Sequence, residues 1–232
     1  GLDYRYSGAS GGNTGTFRVD TALGPFAVHA DALFRDTQNL EVPDGAGTDG
    51  MDLLPNTDTS ATAGTLGAAF HFDGGFIGIA GNRQKNKYGL PEGSHGHHGH
   101  GDDHDDDHDE DHDDDHDDHD DHEGEGEGEE EEVDIRLEME QTRYDIRLQL
   151  DEPMAGIARF SGVVSLTEYE HTEFEGLEVG TVYSSDAIEG RLELVHSPIG
   201  DLHGVLGLQI SETEFSAVGE EAFVLPTDTS RL

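Results

Sequence analysis

The sequence predicts an all-β, antiparallel chain, and three observations carry that prediction. Apolar and polar residues alternate with a period of two over most of the chain outside one acidic segment. Clusters of glycine, proline and aspartate interrupt the alternating runs at intervals suited to hairpins. No stretch carries the three-and-four apolar spacing of an amphipathic helix.

The strands follow in order. Thr16–Thr21, Phe26–Asp36, Gly64–Asp73 and Phe76–Arg83 read as two hairpins, with Gly24-Pro25 and Asp73-Gly74-Gly75 as turns. In Val133–Glu140, Ile135, Leu137 and Met139 oppose Asp134, Arg136, Glu138 and Glu140. Tyr144, Ile146, Leu148 and Leu150 then oppose Asp145, Arg147 and Gln149, giving two strands or one long bent one. In Ile157–Glu170, Ala158, Phe160, Val164 and Leu166 oppose Arg159, Ser161, Ser165 and Thr167. Ile188–His196 sets Ile188, Leu192 and Leu194 against Glu189, Arg191 and Glu193; Leu202–Phe215 sets Leu206, Leu208 and Ile210 against Gln209 and Ser211. Breaks are expected at Asp151-Glu152-Pro153 and Pro198-Ile199-Gly200-Asp201, for roughly eight to ten strands in all.

Two architectures fit this pattern. A β-sandwich or jelly roll solvates one face of each sheet. A membrane β-barrel needs only about ten alternating residues per strand, with tight turns at one end and long loops at the other. The strands are charged on one side and glycine-rich, and alternation alone leaves both architectures open.

The chain has 232 residues, with 12 Lys and Arg against 53 Asp and Glu, a formal net charge of −41. Such a charge repels nucleic acids and anionic lipid surfaces and concentrates cations. There is no cysteine, hence neither disulfide nor thiolate ligand. Gly1 to Gly15 has no basic-then-apolar signal pattern, and no segment reaches the about 18 apolar residues of a spanning helix.

The acidic segment is the main chemical feature. Between His95 and His122 stand ten histidines, and between Asp102 and Glu132 stand 22 carboxylates. Their mutual repulsion predicts a long disordered loop. His95, His97, His98 and His100 are punctuated by glycine, which frees the backbone to turn several imidazoles towards one ion. His104, His108, His112, His116, His119 and His122 are separated by acidic pairs or triplets that include Asp105, Asp109, Asp113 and Asp117. Imidazole and carboxylate together suit Zn²⁺, and also Ni²⁺ or Cu²⁺; carboxylates alone hold Ca²⁺ weakly. The expectation is a metal-capture antenna of several weak sites, weakening below about pH 6 as imidazole protonates. Glu123–Glu132, alternating with glycine and without histidine, reads as a hydrated linker.

Outside this segment His171, in Tyr169-Glu170-His171-Thr172-Glu173-Phe174, is the best further ligand candidate, placed in a loop at a strand end beside carboxylates. His29, His71, His196 and His203 read as strand or turn residues. No catalytic constellation stands out: the H-E-x-x-H motif is absent, Ser161, Ser165 and Ser184 have no nucleophile elbow, and Gly8–Gly15 is a poor phosphate loop. The chain is expected not to be an enzyme. A near repeat also occurs, Leu54-Pro55-Asn56-Thr57-Asp58-Thr59-Ser60 and Leu225-Pro226-Thr227-Asp228-Thr229-Ser230, and each copy is expected to mark the start of a strand.

The run Gly74-Gly75-Phe76-Ile77-Gly78-Ile79-Ala80-Gly81-Asn82-Arg83, then Asn86-Lys87-Tyr88-Gly89-Leu90-Pro91 and a histidine-rich tract, resembles the barrel of TonB-dependent outer-membrane receptors of the zinc-uptake type. So do Gln141-Thr142-Arg143-Tyr144-Asp145, Gly180-Thr181-Val182-Tyr183, Glu189-Gly190-Arg191-Leu192-Glu193, Gly207-Leu208-Gln209 and Phe215 to Pro226. The resemblance implies an antiparallel transmembrane β-barrel portion in the outer membrane of a Gram-negative bacterium, bathed in lipid. It implies import of zinc or a related divalent metal, with a plug domain and TonB as partners. Neither a plug nor a TonB-contacting segment is present, so this chain is expected to be an internal part of the wall. Residues 1–94 would form the first strands, 95–132 an extracellular metal-capture loop, and 133–232 further strands. The alternative is a soluble, secreted β-protein that buffers metal or binds calcium without transport. A third reading is a surface module whose acidic loop only hydrates.

Overall fold

The computed structural model describes residues 1–43, 52–91, 134–219, 222 and 224–232. Ten strands form one antiparallel sheet in an up-and-down order: β1 (Leu2–Ser7), β2 (Gly12–Leu23), β3 (Phe26–Thr37), β6 (Thr59–Phe72), β7 (Gly75–Leu90), β8 (Ile135–Met154), β9 (Ile157–Glu175), β10 (Glu178–His196), β11 (Val205–Gly219) and β12 (Thr227–Arg231). A two-residue ladder, β4 (Leu40–Glu41) with β5 (Leu53–Leu54), lies in the connection from β3 to β6. No helix occurs among the described residues, so none there is long and apolar enough to cross a membrane.

Turns form where the backbone can take a positive φ. Gly24 (φ 61°) joins β2 to β3 and Gly74 (φ 84°) joins β6 to β7. The turn expected at Asp151-Glu152-Pro153 is displaced. Here β8 continues through a bulge between Asp151 and Met154, with Glu152 at φ 51°, and the chain reverses at Gly156 (φ 88°). Pro153 has no N–H for the ladder, and a bulge accommodates that loss.

The register sorts the side chains onto two faces. Val19, Ala30, Leu66, Gly81, Tyr144, Leu166 and Ile188 are successive cross-strand partners and share one face. The next row holds Val28, Ala68, Ile79, Ile146, Val164, Gly190 and Ile210. These rows form an apolar band that stays exposed: Leu66 is 70% and Ile79 60% accessible. Buried strand side chains among the described residues, Leu137, Ser165, Glu173, Thr181 and Ala217, all lie on the opposite, polar face.

The structure corrects the expected transmembrane β-barrel. β1 and β12 are the two outer strands and do not pair with each other, so the sheet does not close. Alternation specifies two-faced strands; closure further requires a matched tilt and shear, which alternation does not encode. The multi-pass outer-membrane location and the receptor assignment that rested on a barrel fall with it. β12 begins at Thr227, inside the second near repeat, as β6 begins at Thr59 inside the first, so each copy spans the start of a strand.

Candidate functional site at the base of the acidic segment

Strands β7 and β8 are joined through residues 91–134, and their last cross-strand pair is Leu90 with Ile135. The acidic segment therefore leaves and rejoins the sheet at one point. His95, His97, His98, His100, His104, His108, His112, His116, His119, His122, Asp105, Asp109, Asp113 and Asp117 lie outside the described residues.

The point of departure is clamped by a residue far away in sequence. Asn56 lies just after β5, only 5% exposed, with φ 54°, a left-handed conformation that asparagine tolerates better than most residues. Its Nδ2 donates to the Leu90 carbonyl at 2.7 Å and to the Ile135 carbonyl at 2.8 Å, bridging the two strands. Its Oδ1 accepts from Arg136 Nη1 at 3.2 Å. Arg136 also makes a forked pair with Asp58, at 3.0 and 2.6 Å, and hydrogen bonding from this guanidinium holds the Asp58 carboxyl below its usual pKa. Gly89 completes the fit, because a Cβ there would lie 1.9 Å from Asn56 Oδ1. Beside the clamp, on the face of the apolar band, Lys85 pairs with Glu140 at 2.6 Å, Arg83 pairs with Glu140 and Lys87 with Glu138.

His171 lies within β9, not in a loop. Alternation sends Glu170 to the opposite face, which removes one of the two carboxylates expected beside it. On the polar face its cross-strand partners are Met139 and Tyr183. Its ring packs 5.6 Å from that of Tyr183 and 6.5 Å, edge-on, from Tyr169. The Nε2 atom is buried without a hydrogen-bond partner, and burial lowers the imidazole pKa.

His29 shows the reverse electrostatics. Asp20, its cross-strand partner, meets Nδ1 at 2.7 Å, and Asp31, two residues along β3, meets Nε2 at 2.6 Å. The bonds to Asp20 and then Asp31 raise the His29 pKa, while Arg18 and then His29 lower that of Asp20 to about 2. Both ring nitrogens face carboxylate oxygens, an arrangement that favours the protonated ring and competes with metal ligation. On the same face, Arg143 and Ser165 hydrogen-bond each other at 2.8 Å and both bond Asp145; burial pushes the Asp145 pKa up, but these bonds hold it below its usual value. His71 stacks near Phe76 at 5.4 Å, and His196 Nδ1 lies 2.7 Å from the Ser197 carbonyl.

Among the described residues, no three or more His, Asp or Glu side chains come together to hold a metal ion. Sequence reasoning did not find the clamp. Its only signal was the first near repeat, in which Asn56 stands between Pro55 and Thr57; the second copy lacks that asparagine.

No family model matches the chain. The open sheet and the lack of a family match leave the zinc-uptake receptor resemblance without support, and transport is withdrawn with it.

Proposed function

We propose that this is a metal-buffering β-protein in which the segment from His95 to His122 binds several Zn²⁺ ions weakly and reversibly, without transport and without catalysis. Ni²⁺ and Cu²⁺ compete for the same imidazole and carboxylate ligands, and Ca²⁺ associates diffusely with Glu123–Glu132. One observation carries the reading: ten histidines stand between His95 and His122, the last six of them interleaved with aspartates, a density of imidazole and carboxylate ligands found nowhere else in the sequence. The sheet's role is to present both ends of that segment at one fixed point. Metal neutralises the carboxylates whose repulsion otherwise opposes any compact arrangement.

Calorimetric zinc titration of the full chain and of a deletion lacking residues 95–122 tests the reading. Deletion is expected to abolish most of the zinc uptake, and uptake by the full chain is expected to weaken below about pH 6 as the imidazoles protonate. His171→Ala should leave the zinc stoichiometry unchanged, because among the described residues no set of three ligands gathers around that ring. Equal uptake by the full chain and the deletion would refute the proposal.

A further inference from the structure

A hollow of about 630 Å³ lies on the polar face of the sheet, lined by β2, β3, β6, β7 and β8. Each of these strands has a paired neighbour on both sides, so the hollow owes nothing to either edge of the sheet. It is also remote from the acidic segment: the pair Gly78 and Arg147 stands twelve ladder positions from the pair Leu90 and Ile135.

Two cross-strand rows build it. One runs Asp20, His29, Gly67, Ala80 and Asp145, and the next runs Ala22, Ala27, Ala69, Gly78 and Arg147. Charged side chains therefore stand at the two sides, while β6 and β7 between them contribute nothing larger than a methyl group. The floor is flat. Phe76, two residues before Gly78 on the same face, closes one end, its ring 5.4 Å from that of His71. An apolar floor with a few polar groups at its margin is the usual build of a small-molecule site.

The charged margin is selective. Asp20 is held by Arg18 and His29, His29 also faces Asp31, and Asp145 is held by Arg143 and Ser165. Arg147 differs, making neither a hydrogen bond nor an ion pair among the described residues. Its uncommitted guanidinium offers two parallel donors, the geometry that a carboxylate accepts. The net charge of −41 penalises each further anionic group, so the arrangement favours one carboxylate over two. On the far side Asp20 and Asp31 present acceptor oxygens, which call for a donor. His29 and Arg147 stand three strand spacings apart, ~14 Å at the backbone, a gap that the two side chains and a two-ring ligand span together.

We propose that this hollow binds a two-ring aromatic monocarboxylic acid. Its rings lie on Gly67, Ala69, Gly78 and Ala80 against Phe76, its carboxylate pairs with Arg147, and a hydroxyl at its other end donates to Asp20 or Asp31. This inference is independent of metal binding.

The test titrates the full chain with 6-hydroxy-2-naphthoate and follows the fluorescence of the probe. Saturation is expected below about 1 mM. Arg147→Gln should weaken binding about tenfold or more, and the neutral carboxamide of the probe should bind the unaltered chain weaker by a similar factor, with no further loss on Arg147→Gln. Gly67→Val should weaken binding about tenfold by filling the floor; a Cβ there meets Ala80, Ile79 and His29 at 3.6 to 3.8 Å, which is ordinary contact. Leu66→Lys, on the opposite face, should leave the affinity unchanged. Equal affinity of the acid for the unaltered chain and Arg147→Gln would overturn the proposal. So would a lack of saturation up to about 1 mM. Loss of binding on Leu66→Lys would place the probe on the apolar band and overturn it as well.

Discussion

At the scale of single residues, Asn56 connects the loop after β5 to the root of the acidic segment. Asn56→Ala removes two bridging bonds and leaves the half-buried Leu90 and Ile135 carbonyls short of a donor, while alanine tolerates φ 54° poorly. The expected loss is about 2 to 3 kcal/mol of unfolding free energy, read from denaturant melts. Gly89→Ala should cost a similar amount by expelling the same amide. The histidines give a second test. His29, held by two carboxylates, should titrate above 6.5 by NMR, and His171, desolvated, below it. Their linkage to stability has opposite signs. The His29 contribution is complete below pH 6.5 and is lost as pH rises through the folded-state pKa, whereas the His171 contribution is present above 6.5 and is lost as pH falls towards its depressed value. Asp20, lowered to about 2, contributes above its usual 3.8 and ceases to do so as pH falls through about 2. Asp20→Asn should bring the His29 midpoint down; an unchanged midpoint would show that the pair does not persist in solution. None of these contacts was legible in the sequence. The His29-Ala30-Asp31 spacing is visible, but the position of Asp20 opposite His29 depends on a register that sequence alone does not fix.

At the scale of elements, the strands themselves were largely legible, because alternation over β9, β10 and β11 assigns the same two faces that the structure shows. β8 shows where this reasoning stops. Ile135, Leu137 and Met139 have odd numbers, while Tyr144 to Leu150 have even ones, and β8 runs unbroken through both groups. Its apolar residues therefore change face midway: Leu137 is 6% exposed on the polar side, whereas Tyr144 is 54% exposed on the apolar side. A change of phase reads as a break in sequence, yet an uninterrupted ladder carries it without strain. β1, β4 and β5 escaped notice because short strands give alternation too few periods to register, and only the near repeat pointed to β12. The β7–β8 hairpin supplies the prediction at this scale. Its ladder closes at Leu90 and Ile135 with Asn56 bridging both, so deletion of residues 95–132 should leave the pairing intact. Shortening the connection roughly sevenfold should add about 2 kcal/mol through loop-closure entropy, before the relief of charge repulsion. A deletion protein that melts earlier than the full chain would show that the acidic segment makes contacts that hold the sheet.

At the scale of the whole molecule, burial is inverted. The described residues contain only two buried hydrophobic side chains, Leu137 and Ala217, while the broad apolar face of the sheet is open. Eight strands about 4.8 Å apart, with a band about 20 Å tall, present on the order of 800 Å² of apolar surface. This exceeds the few hundred Å² of the largest patch on a typical monomer. Sequence reasoning found this oily face and attributed it to part of a barrel wall in lipid, but the same alternation arises whether a sheet closes or ends in two free edges, since closure depends on tilt and shear. The open sheet makes a sharp prediction about the centre of the face. Leu66 and Ile79 are 70% and 60% exposed, so exchanging both for lysine removes little packing and places two cations on a strongly acidic chain. Unfolding free energy should change by less than about 1 kcal/mol, and binding of an apolar dye such as anilinonaphthalene sulfonate should fall about twofold. Two buried leucine-sized side chains would instead cost several kcal/mol on the same exchange, because lysine cannot replace their packing and must desolvate its charge. A large drop in the melt would therefore mean that this face is covered in solution, and the exposed band would no longer describe the working molecule.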